Sequence, residues 1–233
     1  MLKISNLVKT YKGTKTPSLK GISFEVDNGE VYGLIGKNGA GKSTAIKCLT
    51  GILPFEKGDI KINGWDIKKQ SNKAKALIGY VPDNHSVYEN ITGREYINFL
   101  ADVYGVSLED RERHLRKYGK LFNMTDALDL QINGYSHGMH QKICIMGALV
   151  NNPKLWVLDE PLLGLDPRSI NIIKKCIRTY TKNKRRMVLF TSHDLATVTE
   201  LCDKVCILDN GEVKQIIDMH EEGAENKIRK ILS

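Results

Sequence analysis

The chain has 233 residues, of which 41% are hydrophobic, and carries a formal net charge of +8. This length suits one large domain, and the hydrophobic content is typical of a globular protein. No stretch approaches the roughly 18 consecutive apolar residues of a membrane-spanning helix, and residues 1–6 lack the apolar core of a signal peptide. The sequence therefore argues against an integral membrane protein, and we expect a cytoplasmic location.

The excess of basic residues is compatible with a polyanionic partner, and equally with an ordinary lysine-rich composition. Basic side chains are concentrated in residues 111–120 and 182–186. The first run includes Glu112 and Leu115, which is typical of an exposed helix face. The second run precedes a predicted strand and resembles a solvated loop. We therefore expect no nucleic-acid partner.

In chain order, the first predicted elements are two strands, residues 2–12 and 21–26, followed by a turn and a buried strand at residues 31–35. Residues 36–44 come next and fit the phosphate-loop pattern G-x-x-x-x-G-K-[ST], with a helix beginning directly after them. Glycines let the backbone N–H groups of such a loop point at phosphate oxygens, and the helix N-terminus adds positive potential. The motif predicts binding of a nucleoside triphosphate.

Two side chains of this loop have specific predicted roles. Lys42 is expected to reach the β- and γ-phosphates, and the Ser43 hydroxyl is expected to hold Mg²⁺. A nucleoside triphosphate and Mg²⁺ are therefore the expected ligands. The residues expected to surround the phosphates are Asn38, Gly39, Ala40, Gly41, Lys42, Ser43 and Thr44.

Beyond the loop, residues 59–64 alternate and end in an Asn-Gly hairpin signal, and residues 77–82 read as a short buried strand. Residues 86–150 have helical periodicity instead. Strand patterns return after residue 150, and Asp209-Asn210-Gly211 marks a last hairpin. We predict one α/β domain, residues 1–233, with a catalytic core formed by 1–85 and 151–233 and a helical subdomain formed by 86–150.

Four apolar residues, 155–158, lead into Asp159 and Glu160. A carboxylate at the carboxyl end of a buried parallel strand, next to a phosphate loop, is well placed to hold Mg²⁺ directly or through water. We predict this role for Asp159, and for Glu160 the role of accepting a proton from the attacking water or of orienting that water. The alternative is a strand end capped by two solvated acids.

The motifs and their spacing resemble those of the ATP-binding cassette (ABC) family over nearly the whole chain. The resemblance implies a RecA-like P-loop NTPase core with an antiparallel β subdomain and an inserted α-helical subdomain. The matching segments are Tyr11 before the phosphate loop, residues 136–142 at the family's signature, residues 158–161 at its Walker B strand, residues 164–167 at its D-loop, and residues 191–194 at its switch histidine.

The resemblance also implies a mechanism in which two cassettes dimerise head to tail. Each ATP would lie between one phosphate loop and the partner's signature, so that Ser136 and Gly138 contact the γ-phosphate in trans. Tyr11 would stack on adenine, and His193 would bind the γ-phosphate and the attacking water. Tyr11 and His193 could instead be ordinary packed side chains. The catalytic residues implied are Lys42, Glu160 and His193.

Two segments depart from the family's pattern. Asp83 stands where the family usually has Gln, at a position that touches Mg²⁺ and senses the transmembrane partner, so the implied metal ligands are Ser43, Asp83 and Asp159. His137 stands where the signature usually has Gly, and Tyr135 where it has Leu. Neither change removes the hydroxyl of Ser136 or the backbone N–H of Gly138.

The Ser-x-Gly-Met form of the signature resembles small bacterial cassettes that serve ABC-2-type exporters. The resemblance implies an ATPase subunit that powers export of a drug, antimicrobial peptide or ion by a separate transmembrane permease. It would dock through the helical lobe and the surface near residues 83–88, on the inner face of the cell membrane, and pair with an identical or paralogous cassette. The alternatives are a soluble cassette ATPase acting on nucleic acid or ribosomes, and an ATP-dependent dimerisation module with little hydrolysis.

Overall fold

The computed structural model describes residues 1–83 and 88–232. Its elements, in chain order, are β1 (Leu2–Lys9), β2 (Leu19–Val26), β3 (Val31–Ile35), α1 (Lys42–Leu49), β4 (Lys57–Ile62), β5 (Trp65–Asp66), α2 (Ser71–Lys75), β6 (Ile78–Val81), α3 (Gly93–Val103), α4 (Leu108–Phe122), α5 (His137–Ala148), β7 (Leu155–Leu158), α6 (Pro167–Thr181), β8 (Met187–Thr191), α7 (Leu195–Leu201), β9 (Lys204–Asp209), β10 (Glu212–Asp218) and α8 (Ala224–Leu232). Within these ranges, no helix has the length and apolar character needed to cross a bilayer.

The central sheet has the strand order β10-β9-β3-β8-β7-β6. Its β9, β3, β8, β7 and β6 strands are parallel, and β10 is antiparallel to β9. The carboxyl ends of parallel strands meet at one edge of a sheet, which is where ligands bind in open α/β folds. The segments that leave this edge are residues 36–41 after β3, 82–83 after β6, 159–160 after β7 and 192–193 after β8.

The central sheet is the middle of three layers, and its side chains alternate between two cores. On β8, Val188 and Phe190 pack into the core on the side of α3 to α8, while Met187 and Leu189 pack into the core on the side of α1. All four side chains are buried. Burial on both faces explains why these strands appear in the sequence as continuous apolar runs.

The third layer is an antiparallel sheet of order β2-β1-β4-β5. Its first strand ends at Lys9 and not at residue 12, because Thr14 N–H donates to the Tyr11 carbonyl in a turn. The predicted Asn-Gly hairpins are present. Asn63 and Gly64 have φ of 48° and 86°, the left-handed pair that a type I′ turn requires.

Helices α3, α4 and α5 lie between β6 and β7 in the chain. Thr92 and Glu95 form a reciprocal capping box that begins α3, which satisfies backbone donors that the first helical turn leaves unpaired. The buried face of α3 carries Ile97 and Ala101, whereas Phe99 and Val103 remain largely exposed. This helix therefore presents an apolar surface to solvent as well as to the core.

A buried histidine in α4 makes the stability of the fold depend on pH. His114 Nε2 lies 2.8 Å from the Met146 carbonyl oxygen in α5. Burial, together with the nearby Lys117 charge, lowers the pKa of His114 to about 4, although the hydrogen bond to the Met146 carbonyl acts in the opposite direction. An unfolded histidine titrates near its ordinary pKa of about 6.5 and therefore binds a proton first as the pH falls.

Because the folded pKa is depressed, the neutral histidine contributes stability that is present above about pH 6.5 and lost as the pH falls toward 4. We expect the free energy of unfolding to drop by up to about 3 kcal/mol across this window. Urea unfolding at several pH values measures it. His114→Gln, which can still donate to the Met146 carbonyl, should flatten this part of the profile, and an equally steep profile would contradict the assignment.

Candidate functional site

The phosphate loop joins β3 to α1 and depends on glycine for its shape. Gly41 has φ of 107°, which disfavours any side chain. A Cβ at Gly36 would lie 2.2 Å from the Leu208 carbonyl oxygen, and one at Gly41 would lie 2.8 Å from Leu19 Cδ2. The loop therefore packs its backbone directly against neighbouring segments.

Lys42, the first residue of α1, is buried with its ammonium group inside this loop. Its Nζ donates to the Gly36 carbonyl at 2.7 Å and to the Lys37 carbonyl at 3.3 Å. A positive charge enclosed by a loop at a helix N-terminus is the arrangement that binds the phosphates of a nucleotide.

Asp159 directly follows β7 and is almost fully buried. Its Oδ1 accepts from the Thr191 hydroxyl at 2.7 Å and from the Ser43 hydroxyl at 3.5 Å. Its Oδ2 is buried and, among the described residues, has no hydrogen-bond partner. Burial raises the pKa of this carboxyl, as do the charges of Asp83 and Glu160.

A buried carboxylate oxygen without a partner, beside a serine hydroxyl, fits a hard divalent cation such as Mg²⁺. Among the described residues, no cluster of three or more His, Cys, Asp and Glu side chains has the geometry of a metal site. Mg²⁺ typically takes one or two carboxylates and completes its shell with phosphate oxygens and water. Asp83, at the end of β6, is exposed on the same sheet edge.

Thr191, the last residue of β8, connects the two acidic residues and was not assigned a role by sequence reasoning. Its hydroxyl donates to Asp159 and accepts from the backbone N–H of Glu160 at 2.9 Å. Glu160 has φ of 47°, a left-handed conformation that is uncommon outside glycine. The threonine thus holds the backbone turn that directs the Glu160 side chain away from Asp159.

The Glu160 side chain reaches His193, which follows β8. His193 Nδ1 lies 3.1 Å from Glu160 Oε2. The carboxylate is mostly covered, while the side chain of His193 is 60% exposed. The structure therefore brings the predicted base and the predicted switch histidine into contact, with the imidazole open to solvent.

Tyr11 lies beside the phosphate loop, in the turn after β1. Its hydroxyl is 3.1 Å from Thr44 Oγ1, which is also 3.3 Å from Ser18 Oγ. The Tyr11 side chain is 40% exposed. An exposed aromatic ring at this place is available for stacking on a base.

The signature segment forms the N-terminus of α5. Ser136 is the N-cap, and its hydroxyl accepts from the Met139 N–H at 3.3 Å. His137 Nε2 lies 3.2 Å from the Leu163 carbonyl oxygen, and a Cβ at Gly138 would be 3.6 Å from Leu165. Among the described residues, no hydrogen bond joins Ser136 or Gly138 to residues 36–44.

A second contact that sequence reasoning missed ties α5 to the end of the Walker B segment. The buried Gln141 Nε2 donates to the Pro161 carbonyl at 2.7 Å.

The predicted docking surface near residues 83–88 is described at Asp83 and Tyr88 only, and its residues 84–87 lie outside the described part of the chain.

The comparisons with known proteins identify the family of the chain. The ABC transporter family matches residues 19–163. The chain is 37% identical over 213 residues to the linearmycin resistance ATP-binding protein LnrL of Bacillus subtilis strain 168, covering 91% of this chain and 68% of that protein. It is 37% identical over 214 residues to the transporter ATP-binding protein EcsA of the same organism, covering 92% of this chain and 85% of that protein.

Solved structures agree as well. An ATP-binding subunit of an ABC transporter superposes with a TM-score of 0.90 at 33% identity, covering 98% of this chain and 94% of that one. A dimeric cassette with bound ADP and phosphate has a TM-score of 0.86 at 22% identity, covering 95% of this chain and 100% of that one, and shows the shared fold. The predicted fold class, an α/β P-loop NTPase cassette, is confirmed.

The fold and the site thus define a P-loop ATPase cassette. More specifically, the chain belongs to the ABC transporter family, as one of its ATP-binding subunits.

Proposed function

We propose that this chain hydrolyses ATP to power export by a separate transmembrane permease. The observation that carries hydrolysis is the pair of acids at the end of β7: a buried Asp159 with an unpartnered oxygen, and Glu160 in contact with His193. Export is supported by similarity to a relative named for linearmycin resistance, since resistance is consistent with removal of a toxic compound. The location we propose is the inner face of the cell membrane.

Nucleotide binding would rest on the loop and the metal ligands. Lys42 and the loop amides bind the β- and γ-phosphates, as electrostatic stabilisation of phosphoryl transfer requires. Ser43, Asp159 and Asp83 provide the oxygen atoms that would hold Mg²⁺, which when bound neutralises charge on the phosphate oxygens. Tyr11 stacks on the base.

The chemical step would be carried by Glu160 and His193. Glu160 accepts a proton from the attacking water, and the Thr191 hydroxyl fixes the backbone from which that side chain extends. His193 donates a hydrogen bond to the γ-phosphate, with its ring oriented by the contact to Glu160. These groups position and activate water without forming a covalent intermediate.

We further propose that two such cassettes close around ATP, with Ser136 and Gly138 reaching the nucleotide of the partner. Ser136 and His137 are exposed in the single chain, so a second copy can reach the N-terminus of α5. Residues 86–150 would act as a helical subdomain that carries this signature. Its contacts to residues 161 and 163 would couple it to the core.

The exposed apolar surface beside α3 is where we propose that the permease docks. A groove of about 270 Å³ lies between α3 and β6, lined in part by Ile52, Tyr96 and Tyr104. Next to it, the exposed rings of Tyr88 and Phe99 meet edge to face at 5.6 Å. Neighbouring apolar and aromatic side chains that are exposed together are typical of a protein interface.

Co-purification tests this surface. Membranes from cells that express the tagged chain should yield a transmembrane protein, identified by mass spectrometry, whose recovery falls strongly with Phe99→Glu or Tyr104→Glu. The matched control is Ile216→Glu, which places the same charge at an exposed apolar position on β10. Equal recovery with all three variants would exclude this surface, and recovery of an RNA-processing assembly instead would contradict the transport function.

The carboxylate of Asp83 predicts that ATP turnover depends on Mg²⁺ differently in the wild type and in a variant with glutamine at this position. The Asp83 charge contributes to the raised pKa of Asp159, because like charges disfavour each other's ionised form until a cation neutralises them. We expect ATP turnover to depend more steeply on Mg²⁺ concentration in the wild type than in Asp83→Gln. Phosphate release measured over a Mg²⁺ titration at fixed ATP would show it, and superimposable curves would remove the proposed role.

A further inference from the structure

A cavity of about 530 Å³ lies between α4 and α6, outside the nucleotide site. Four cationic side chains line it: Lys117 and Lys120 from α4, Lys175 from α6, and Arg186 from the segment before β8. Among the described residues, no carboxylate lines it. Its volume is that of a site for a small molecule.

The lysines of this cavity differ from other basic residues on the same helix. Arg111 pairs with Asp102, Arg113 with Glu109 and Asp110, and Arg116 with Glu112. In the part of the chain that the structure describes, Lys117, Lys120 and Lys175 have no carboxylate within ion-pair distance. Like charges grouped without counter-ions repel each other, and a bound anion relieves this repulsion.

The floor of the cavity is apolar and uncharged. Two side chains form this floor: Leu121, which is 39% exposed, and Cys176, which is buried. Burial raises the pKa of the Cys176 thiol to about 11 and that of the Tyr118 phenol to about 12, so both stay neutral near pH 7. Lys117 and Arg186 lie over the rings of Tyr118 and Tyr180, at 4.8 and 4.7 Å from the centroids.

These contacts decide what kind of anion fits. Because cations already lie against the two tyrosine rings, we do not expect those faces to stack on a nucleotide base. What remains is an apolar floor next to a cationic border. That combination suits a molecule with an apolar body and one anionic head.

We propose that this cavity binds an amphiphilic anion, whose apolar body contacts Leu121 and Cys176 and whose carboxylate or phosphate head pairs with Lys117, Lys120 and Lys175. The site is distinct from the nucleotide site, since Arg186 directly precedes β8 and so lies at the amino edge of the parallel strands. A ligand held by both α4 and α6 would fix the inserted helices against the core.

Calorimetry on the purified full chain tests the proposal with three probes: octyl phosphate, inorganic phosphate, and octyl trimethylammonium, all below the micelle concentration. We expect saturable binding of octyl phosphate at one site, undiminished by ATP. Lys117→Glu combined with Lys175→Glu should weaken it by about tenfold or more. The control, Lys20→Glu with Lys57→Glu, changes the net charge equally at exposed positions elsewhere and should leave binding unchanged.

Other outcomes would overturn the proposal. Equal affinity for inorganic phosphate would indicate a simple anion site, and equal affinity for the cationic probe would indicate nonspecific adsorption. Unchanged binding in the charge-reversed variant, or competition by ATP, would place the ligand elsewhere. If that variant does not fold, Lys117→Gln with Lys175→Gln removes the same charges more gently and must still weaken binding. None of these readouts depends on ATP hydrolysis, so the proposed function is tested separately.

Discussion

Glu160→Gln is expected to lower ATP turnover by about a hundredfold or more while leaving nucleotide affinity nearly unchanged. The amide has almost the shape of the carboxylate and can still contact His193, which lies 3.1 Å away. It cannot take a proton from water. The comparison of phosphate release with ATP binding by the same purified protein separates the two effects.

A matched control makes this result specific to the proposed base. Asp126→Asn removes an exposed carboxylate in the segment after α4 and should leave turnover unaltered. Retained turnover in Glu160→Gln would show that another group activates water, and would favour the alternative in which ATP only joins two subunits. Because closure around ATP precedes cleavage in the proposed mechanism, the variant should also accumulate as an ATP-bound dimer in size-exclusion chromatography.

Much of the site could be predicted because its chemistry depends on local spacing. The phosphate loop needs glycine where a Cβ would meet the Leu208 carbonyl at Gly36, and residue order alone reveals such a loop. Asp159 follows four buried residues, so its place at a strand end was readable from the sequence. The hairpin at Asn63 was equally local, since its turn type depends on adjacent residues only.

The remaining contacts could not be predicted because they join distant segments. Thr191 is 32 positions from Asp159 along the chain, and nothing in its local pattern indicates that its hydroxyl serves two acids at once. Gln141 and His137 contact residues 161 and 163 only because the N-terminal part of α5 lies against the segment that follows β7. For α3, the spacing of apolar residues predicts a helix. Phe99 and Val103 belong to that spacing but are exposed, so the pattern alone does not show which face of the helix is buried.

A substitution at Ser136 is expected to have the second large effect on ATP turnover. It tests whether hydrolysis of each ATP requires the signature residue of a second chain. Ser136→Asp keeps a good N-cap for α5 but directs a negative charge toward the proposed position of the γ-phosphate. We expect a normal free energy of unfolding and a loss of turnover of about a hundredfold or more. Ser136→Thr retains both the cap and the hydroxyl, and should keep turnover close to that of the wild type.

Mixing the two inactive variants distinguishes a shared site from a single-chain site. If each ATP lies between one chain's Glu160 and its partner's Ser136, a heterodimer of Glu160→Gln and Ser136→Asp has one site with both defects and one with neither. Chains combined before ATP is added should therefore regain up to about a quarter of wild-type turnover by random pairing. If both residues served the same chain's nucleotide, every site would stay defective and the mixture would be as inactive as its components.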